Sequence, residues 1–356
     1  MKKRWKILLR LGSVALATIL VPIVYIETSC SAEDANPRGA RYRSPLAAAD
    51  HRPEVRSWLT YPEWHIVYSA DSFGRHLASG KPPSSYSYGS DVLSFWRSTC
   101  AVNRVSAGRE GASDTKVMLY TIGISFTVEM AVKALWENSI GRVFEWASGY
   151  QSADDKLAAR VQQAYGQFMH QTPWYKFPFG QAFSKLWETS EDKEVSRHWE
   201  RRLALSMEYG VKSGYAALID KASGAALGRD ELTLRFITPA PAATIAALDP
   251  RLKPVGTTQN GQTIVEAPRY AEFTTLLRNL AEARIAVSDI AGNDDIFLTV
   301  LAPTNARLPA PALFAMPLGD RPGWQRVGME VKVSRLTAIM PAIEAAGGKI
   351  EHVHDY

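Results

Sequence analysis

A chain of 356 residues, 46% hydrophobic and 22% charged, has room for two domains with cores of their own, and this balance excludes a predominantly disordered protein. The net charge of +5 does not mark a nucleic-acid binder: residues 1–32 hold Lys2, Lys3, Arg4, Lys6 and Arg10 against Glu27 alone, which leaves the rest of the chain nearly neutral. Two cysteines, Cys30 and Cys100, exclude a disulfide framework and a cysteine zinc site.

Residues 1–32 read as a membrane anchor or uncleaved signal. From Leu11 to Ile26 the chain carries no charge, and Arg10 lies close enough to the end of the run to snorkel. The flanking basic residues place the N-terminus in the cytoplasm and export the remainder of the chain. Pro22 is tolerated in such a helix. Signal-peptidase cleavage next to Cys30 and Ala32 is the alternative, and lipoprotein cleavage at Cys30 is disfavoured by Glu27, which stands where that signal wants an aliphatic residue. Cys30 and Cys100 read as two unrelated thiols, a bridge between them requiring an oxidising compartment.

Residues 33–55 mix proline, glycine and charge without apolar periodicity and read as a linker. Residues 56–222 then read as an all-helical domain. Its first helix starts near Pro62, with Ile66, Val67, Phe73 and Leu77 as apolar positions, and stops at Gly80 before Pro82 and Pro83. A second helix covers Asp91 to Val105. A third, residues 117–136, is apolar except for Thr121, Ser125, Glu129, Lys133 and, just beyond it, Glu137, each four apart and therefore on one stripe. It is expected to be surrounded or interfacial, with Glu129 and Lys133 paired; a second membrane span is the alternative. Ser152 to His170 reads as an amphipathic helix with Asp154 and Asp155 in its first turn. A long helix over 192–221 carries Trp199, Leu203, Ser206, Gly210, Gly214 and Leu218 on one face, which is expected to pack in a core.

Residues 223–356 read as a ferredoxin-like α/β domain. Strands over 231–237, 285–290, 295–301, 312–318, 326–333 and 349–356, with helices over 269–284 and 334–348, give β-α-β-β-α-β once inserts are set aside. The pair around Gly292-Asn293 reads as a hairpin. Pro341 is expected near the start of its helix. The fold class is thus α+β: an N-terminal transmembrane helix, a Trp-rich helical domain and a C-terminal ferredoxin-like domain.

Eight of ten tryptophans fall between residues 58 and 199, which suits a membrane interface, an apolar-ligand cavity or a large aromatic core. Glu129, Lys133 and Glu137 are the charges least able to reach water and are weak catalytic candidates together with His65. His65 and His76 stand about 16 Å apart by helical rise, too far to share a metal. His352 and His354 share a strand face and are weak metal candidates. No phosphate loop, nucleophile elbow, HExxH or CxxC occurs. No cofactor is expected.

These features lead to the expectation of a non-enzymatic, membrane-anchored protein. It is expected to be single-pass in a bacterial-type inner (plasma) membrane, N-terminus cytoplasmic and body exported, with residues 117–136 as a second span in the alternative topology. Its expected partners are the lipid bilayer and a membrane protein or lipid, and not nucleic acid. The alternatives are a lipid or apolar-ligand binder, and an enzyme on a membrane-associated substrate using Glu129, Glu137 or His65.

Overall fold

The computed structural model describes residues 2–30, 42–106, 112–188, 195–226 and 232–356. Helices come first: α1 (Lys2–Ser29), α2 (Val55–Leu59), α3 (Tyr61–Ala78), α4 (Tyr88–Ser106), α5 (Ala112–Trp136), α6 (Arg142–Ser148), α7 (Ala153–Met169), α8 (Phe179–Glu188) and α9 (Val195–Ala226). A π-turn, Glu137–Gly141, joins α5 to α6. The mixed part comes next: β1 (Thr233–Thr238), α10 (Ala242–Leu248), β2 (Lys253–Thr257), β3 (Thr263–Pro268), α11 (Tyr270–Glu282), β4 (Asp289–Ile290), β5 (Asp295–Pro303), β6 (Ala312–Pro317), β7 (Trp324–Lys332), α12 (Val333–Ala345) and β8 (Lys349–His354). The fold is mixed helix and sheet, with two antiparallel four-stranded sheets.

The chain forms two compact units, and both draw on residues from 56–222. The first comprises residues 1–63, 92–128 and 233–356; the second comprises 64–91 and 129–232.

In the first unit the sheet orders are β2-β3-β1-β4 and β6-β7-β5-β8, one permutation used twice. The sequence pattern accounts for one such run; it passes over β2, β3 and α10 between residues 238 and 268. Of the expected hairpin around Gly292-Asn293 only the turn forms, closed by one antiparallel bridge in which the amides of Ile290 and Asn293 donate to each other's carbonyls at 3.1 and 3.0 Å; the strands that flank it do not pair with each other. β4 pairs with β1, whereas β5 pairs with β7 and β8. Ala291 and Gly292 both have positive φ, and Asp289 accepts a hydrogen bond from the Gly292 amide at 2.8 Å, so this turn carries the chain from one sheet into the other. Helix α11 packs on β3, β8 and α12, and α12 on β4, β7 and β8. One apolar core results, including Phe236, Phe273, Leu298, Leu336 and Val353, all buried. Pro341 lies in mid-helix, because α12 begins at Val333 and not later.

The segment expected as a linker is docked where it is described. Leu46 and Val55 within it are buried, as are Trp58 and Leu59 just beyond it. The Ser57 hydroxyl donates to the His354 carbonyl at 2.6 Å and accepts from the Phe297 amide at 2.9 Å, so α2 is fastened between β5 and β8. Helix α9 carries the chain past residue 222 as far as Ala226, and residues 227–231 lie outside the described residues.

The cysteines correct a second expectation: Cys30 and Cys100 form a disulfide. It fixes the end of α1 to α4, where Asn103 and Arg104 also donate to the carbonyls of Cys30 and Ser29, at 2.9 and 2.8 Å. Lys116 and Tyr120 of α5 bind Glu27. Gly123 admits the close approach of α5 and α4, since a Cβ there would stand 2.5 Å from the Phe95 ring.

His352 and His354 are buried, with ring centroids 4.8 Å apart, and His352 pairs with the Thr274 hydroxyl at 3.1 Å. Among the described residues no group of three or more His, Cys, Asp or Glu side chains is arranged to hold a metal ion. Burial, aided by the nearby Arg326 charge, pushes the His354 imidazole well below its ordinary value of 6.5. A depressed folded-state value means that His354 stabilises the fold fully above pH 6.5 and that this contribution fades as pH falls below it. The stability advantage of the parent over His354→Gln is therefore expected to shrink on acidification from pH 7.5 to 5, by up to about 1.4 kcal/mol per pH unit. Chemical denaturation of both proteins across that range checks it, and a pH-independent difference contradicts it.

Candidate functional site

The second unit contains the candidate site. Helix α5, the π-turn and α6 run on as one helical stretch, and among the described residues Thr115–Ser148 is the one helix long and apolar enough to cross a membrane. Only 22% of its most apolar window is buried, so the expectation that protein surrounds it fails. Helix α9 lies antiparallel to its later half, and rungs of charge set that register. Glu129 meets Lys212 at 2.9 Å, Lys133 meets Glu208 at 2.9 Å, and Arg201 binds Glu137 through two nitrogens at 2.9 and 3.0 Å. Arg197 donates to the Gly141 carbonyl, and Ser148 meets Ser196 at 2.6 Å.

Spacing explains the ladder. On one helix Glu129, Lys133 and Glu137 recur every four residues, and on the other Arg197 and Arg201, then Glu208 and Lys212, do the same, so each set projects from one face. The π-turn adds a residue to the turn and keeps Glu145 in line with the stripe. Helix α7 contributes from its N-terminus. Ser152 and Asp155 form a capping box, and Asp155 also takes two bonds from Arg197, at 2.8 and 3.2 Å. Asp154, expected only to favour the helix dipole, is fully buried and meets His198 at 2.5 Å.

Two sub-clusters differ in charge balance. Lys133 and Lys212 answer Glu129 and Glu208, two against two. Arg197 and Arg201 are shared by Glu137, Glu145, Asp155 and Glu200. Neutral donors assist: Trp136 donates to Glu200 at 2.7 Å, and both the amide and the hydroxyl of Ser84 donate to Glu145. Buried charges of this kind persist only with such pairing and hydrogen bonding.

With the charges turned inward, the opposite faces are apolar and open. On α5, the π-turn and α6, Val132, Leu135, Ile140, Val143 and Trp146 are exposed, Trp146 by 88%. On α9, Trp199, Leu203, Met207, Val211, Tyr215 and Leu218 are exposed. The face expected to pack in a core is thus the outer one, and a Cβ added at Gly210 or Gly214 would meet nothing within 4 Å. The tryptophans divide accordingly: Trp58, Trp64 and Trp96 are core residues, whereas Trp146, Trp187 and Trp199 are exposed.

Behind the ladder lies a cavity of about 350 Å³. Glu137, Asp155, Arg201 and Glu208 line it together with Phe73, Tyr88, Leu205 and Tyr209. The structure therefore gathers three of the sequence candidates, Glu129, Lys133 and Glu137, into one network. His65 stands apart: it is buried, and its Nε2 lies 3.3 Å from Asp91. Burial opposes ionisation of Asp91, but His65 and the hydroxyls of Ser69 and Tyr86 bind the carboxylate and hold it below the usual carboxylate range. Ser69 donates to Asp91 and not to the imidazole, so this group lacks the nucleophile-to-base contact of a triad.

Sequence reading missed Glu145, Asp155, Arg197, Glu200, Arg201, Glu208 and Lys212 as site residues. The four-residue spacing of Arg197 with Arg201 and of Glu208 with Lys212 was the available signal. Comparison with family models, curated proteins and solved structures gives no match.

Proposed function

We propose that this chain is a non-enzymatic membrane protein whose second unit lays the outer face of α5, α6 and α9 into the acyl layer of a bilayer. The observation that carries the reading is the inversion of this helix pair, with ionised side chains inside and large apolar ones outside. In water each exposed side chain of this size forgoes about 1.5–3 kcal/mol of transfer free energy, and the bilayer removes that cost.

Dimensions agree with it. From Glu129 to Ser148 the helix rises about 30 Å, close to the hydrocarbon thickness. Aromatic groups gather near both ends of the α9 face: Trp187 and Trp199 in ring contact at 6.4 Å, with the Arg202 guanidinium over both, and Trp174 against Tyr215 at 5.5 Å. Such groups favour the headgroup level. In this reading α1 is a membrane span with the N-terminus cytoplasmic. The first unit is a water-facing platform of two ferredoxin-like sheets for protein contact, each in the order of β-α-β-β-α-β connectivity, the second without its first helix. Catalysis is disfavoured because Glu129, Lys133 and Glu137 are each held by counter-ions.

The test separates this face from the anchor. With a protease site placed within residues 33–41, cleavage and then reduction of the Cys30–Cys100 bond remove the covalent links between the body and α1. The body is expected to stay in the membrane pellet, and Leu203→Lys combined with Val211→Lys to move it to the supernatant. Release of the unsubstituted body overturns the reading.

A further inference from the structure

The cavity of the second unit has an excess of positive charge on its own wall. Five cations line it, Lys81, Lys133, Lys156, Arg160 and Arg201, against three carboxylates, Glu137, Asp155 and Glu208. Each of those carboxylates already has its counter-ion: Arg201 holds Glu137, Arg197 holds Asp155, and Lys133 and Lys212 hold Glu208. Lys133 and Arg201 are engaged in the same pairs. Lys81, Lys156 and Arg160 remain, all three solvent-exposed and in no ion pair among the described residues. Glu145 and Glu200, the other carboxylates of the network around Arg197 and Arg201, do not line the cavity, and Ser84 and Trp136 donate to them.

Local structure brings these three cations to one place. Lys156 and Arg160 are four apart on α7 and so share a face. Lys81 reaches the same cavity from the turn that follows α3. Gly80 has a φ of 73°, and a Cβ there would stand 3.0 Å from the Gln151 side-chain nitrogen, so glycine lets this turn close on the segment ahead of α7. Solvent ions alone balance the three charges in the free protein. A phosphate monoester carries close to two negative charges at neutral pH and three acceptor oxygens, and it makes charge-assisted bonds to lysine and arginine that a dissolved salt ion does not. We propose that this cavity binds an organic phosphate, its phosphate group held by Lys81, Lys156 and Arg160. The volume of about 350 Å³ falls within the range of small-ligand sites and exceeds what a bare phosphate ion fills, and Leu77, Tyr88, Leu205 and Tyr209 give the carbon part an apolar wall. The same chemistry occurs in a soluble phosphate ester and in a phospholipid head group, and the site accepts it from either source.

The experiment uses the full-length protein in a detergent with an uncharged head group. Calorimetric titration is expected to show glycerol 3-phosphate binding about tenfold or more tightly than acetate, a monoanion that engages fewer of the cations. Lys156→Ala with Arg160→Ala, both exposed on α7, is expected to leave the melting temperature unchanged and to weaken glycerol 3-phosphate binding about tenfold or more. Lys253→Ala with Lys349→Ala, exposed cations of the first unit, is expected to leave that affinity as it is in the parent. Titration with lysophosphatidic acid identifies the source: affinity no greater than that of glycerol 3-phosphate indicates a soluble ester, and markedly tighter binding indicates a lipid. Either result supports the site. Absence of glycerol 3-phosphate binding at millimolar concentration, acetate binding as tight as the phosphate ester, an unchanged affinity in the α7 double variant, or equal weakening in both double variants overturns it.

Discussion

Replacing Arg197 by alanine is expected to destabilise the helical unit by about 3–5 kcal/mol, the largest loss of any single substitution in the charge ladder. Arg197 is fully buried and binds Asp155, Glu200 and the Gly141 carbonyl. Its removal leaves Asp155 and the fully buried Glu200 short of their shared cation. An intact buried pair is worth little beyond its desolvation cost, but a broken one leaves an uncompensated charge. For a unit of this size the loss corresponds to a fall in melting temperature on the order of 10 °C. Thermal unfolding of the detergent-solubilised protein, monitored by far-ultraviolet dichroism, measures it. Adding Asp155→Asn to Arg197→Ala is expected to recover part of the loss, because it removes one of the stranded carboxylates; no recovery contradicts the pairing.

The second large effect is expected at the disulfide. Cys100→Ser opens a loop of 70 residues and is expected to cost about 4 kcal/mol through the chain entropy regained by the unfolded state. It also removes the covalent cross-link between the end of α1 and α4. After proteolysis between residues 33 and 41, the two fragments of the Cys100→Ser protein are then expected to separate on a denaturing gel without reductant, whereas those of the parent stay together until a thiol is added. Gel electrophoresis with and without reductant reads both outcomes, and separation of the parent fragments without reductant contradicts the bridge.

Local pattern made much of the fold legible. Period-two alternation located β1, β7 and β8, and a 3.6-residue period located α7, α11 and α12, because one face of each meets a core. What failed was partner choice. The stretch around Gly292 has the residues of a hairpin, yet a turn redirects a chain equally well from one sheet to another, and only long-range pairing tells the two apart. Strand β2, with Pro254 and Gly256 and largely exposed, offers no alternation to detect. Disulfide pairing is non-local in the same way.

The candidate site was half legible. Glu129, Lys133 and Glu137 stood out as charges in an apolar helix, and their spacing announced a shared face. The error lay in the direction of α9. Sequence reading assigns the apolar face of a helix to the core, and Trp199, Leu203 and Leu218 fit that rule. Arg197, Arg201, Glu208 and Lys212 have counter-charges on the neighbouring helix and on α7, however, and that inter-helix pairing, which periodicity within one helix does not display, turns them inward.

Whether that face goes into lipid is settled most directly by spin labels at Leu203→Cys and Val211→Cys, compared with Lys156→Cys, in the protein reconstituted into bilayers. The disulfide leaves each introduced cysteine as the one free thiol among the described residues. The account predicts that labels at residues 203 and 211 collide preferentially with molecular oxygen and are shielded from a water-soluble nickel chelate, whereas the label at residue 156 shows the reverse. Chelate accessibility at 203 and 211 equal to that at 156 contradicts it.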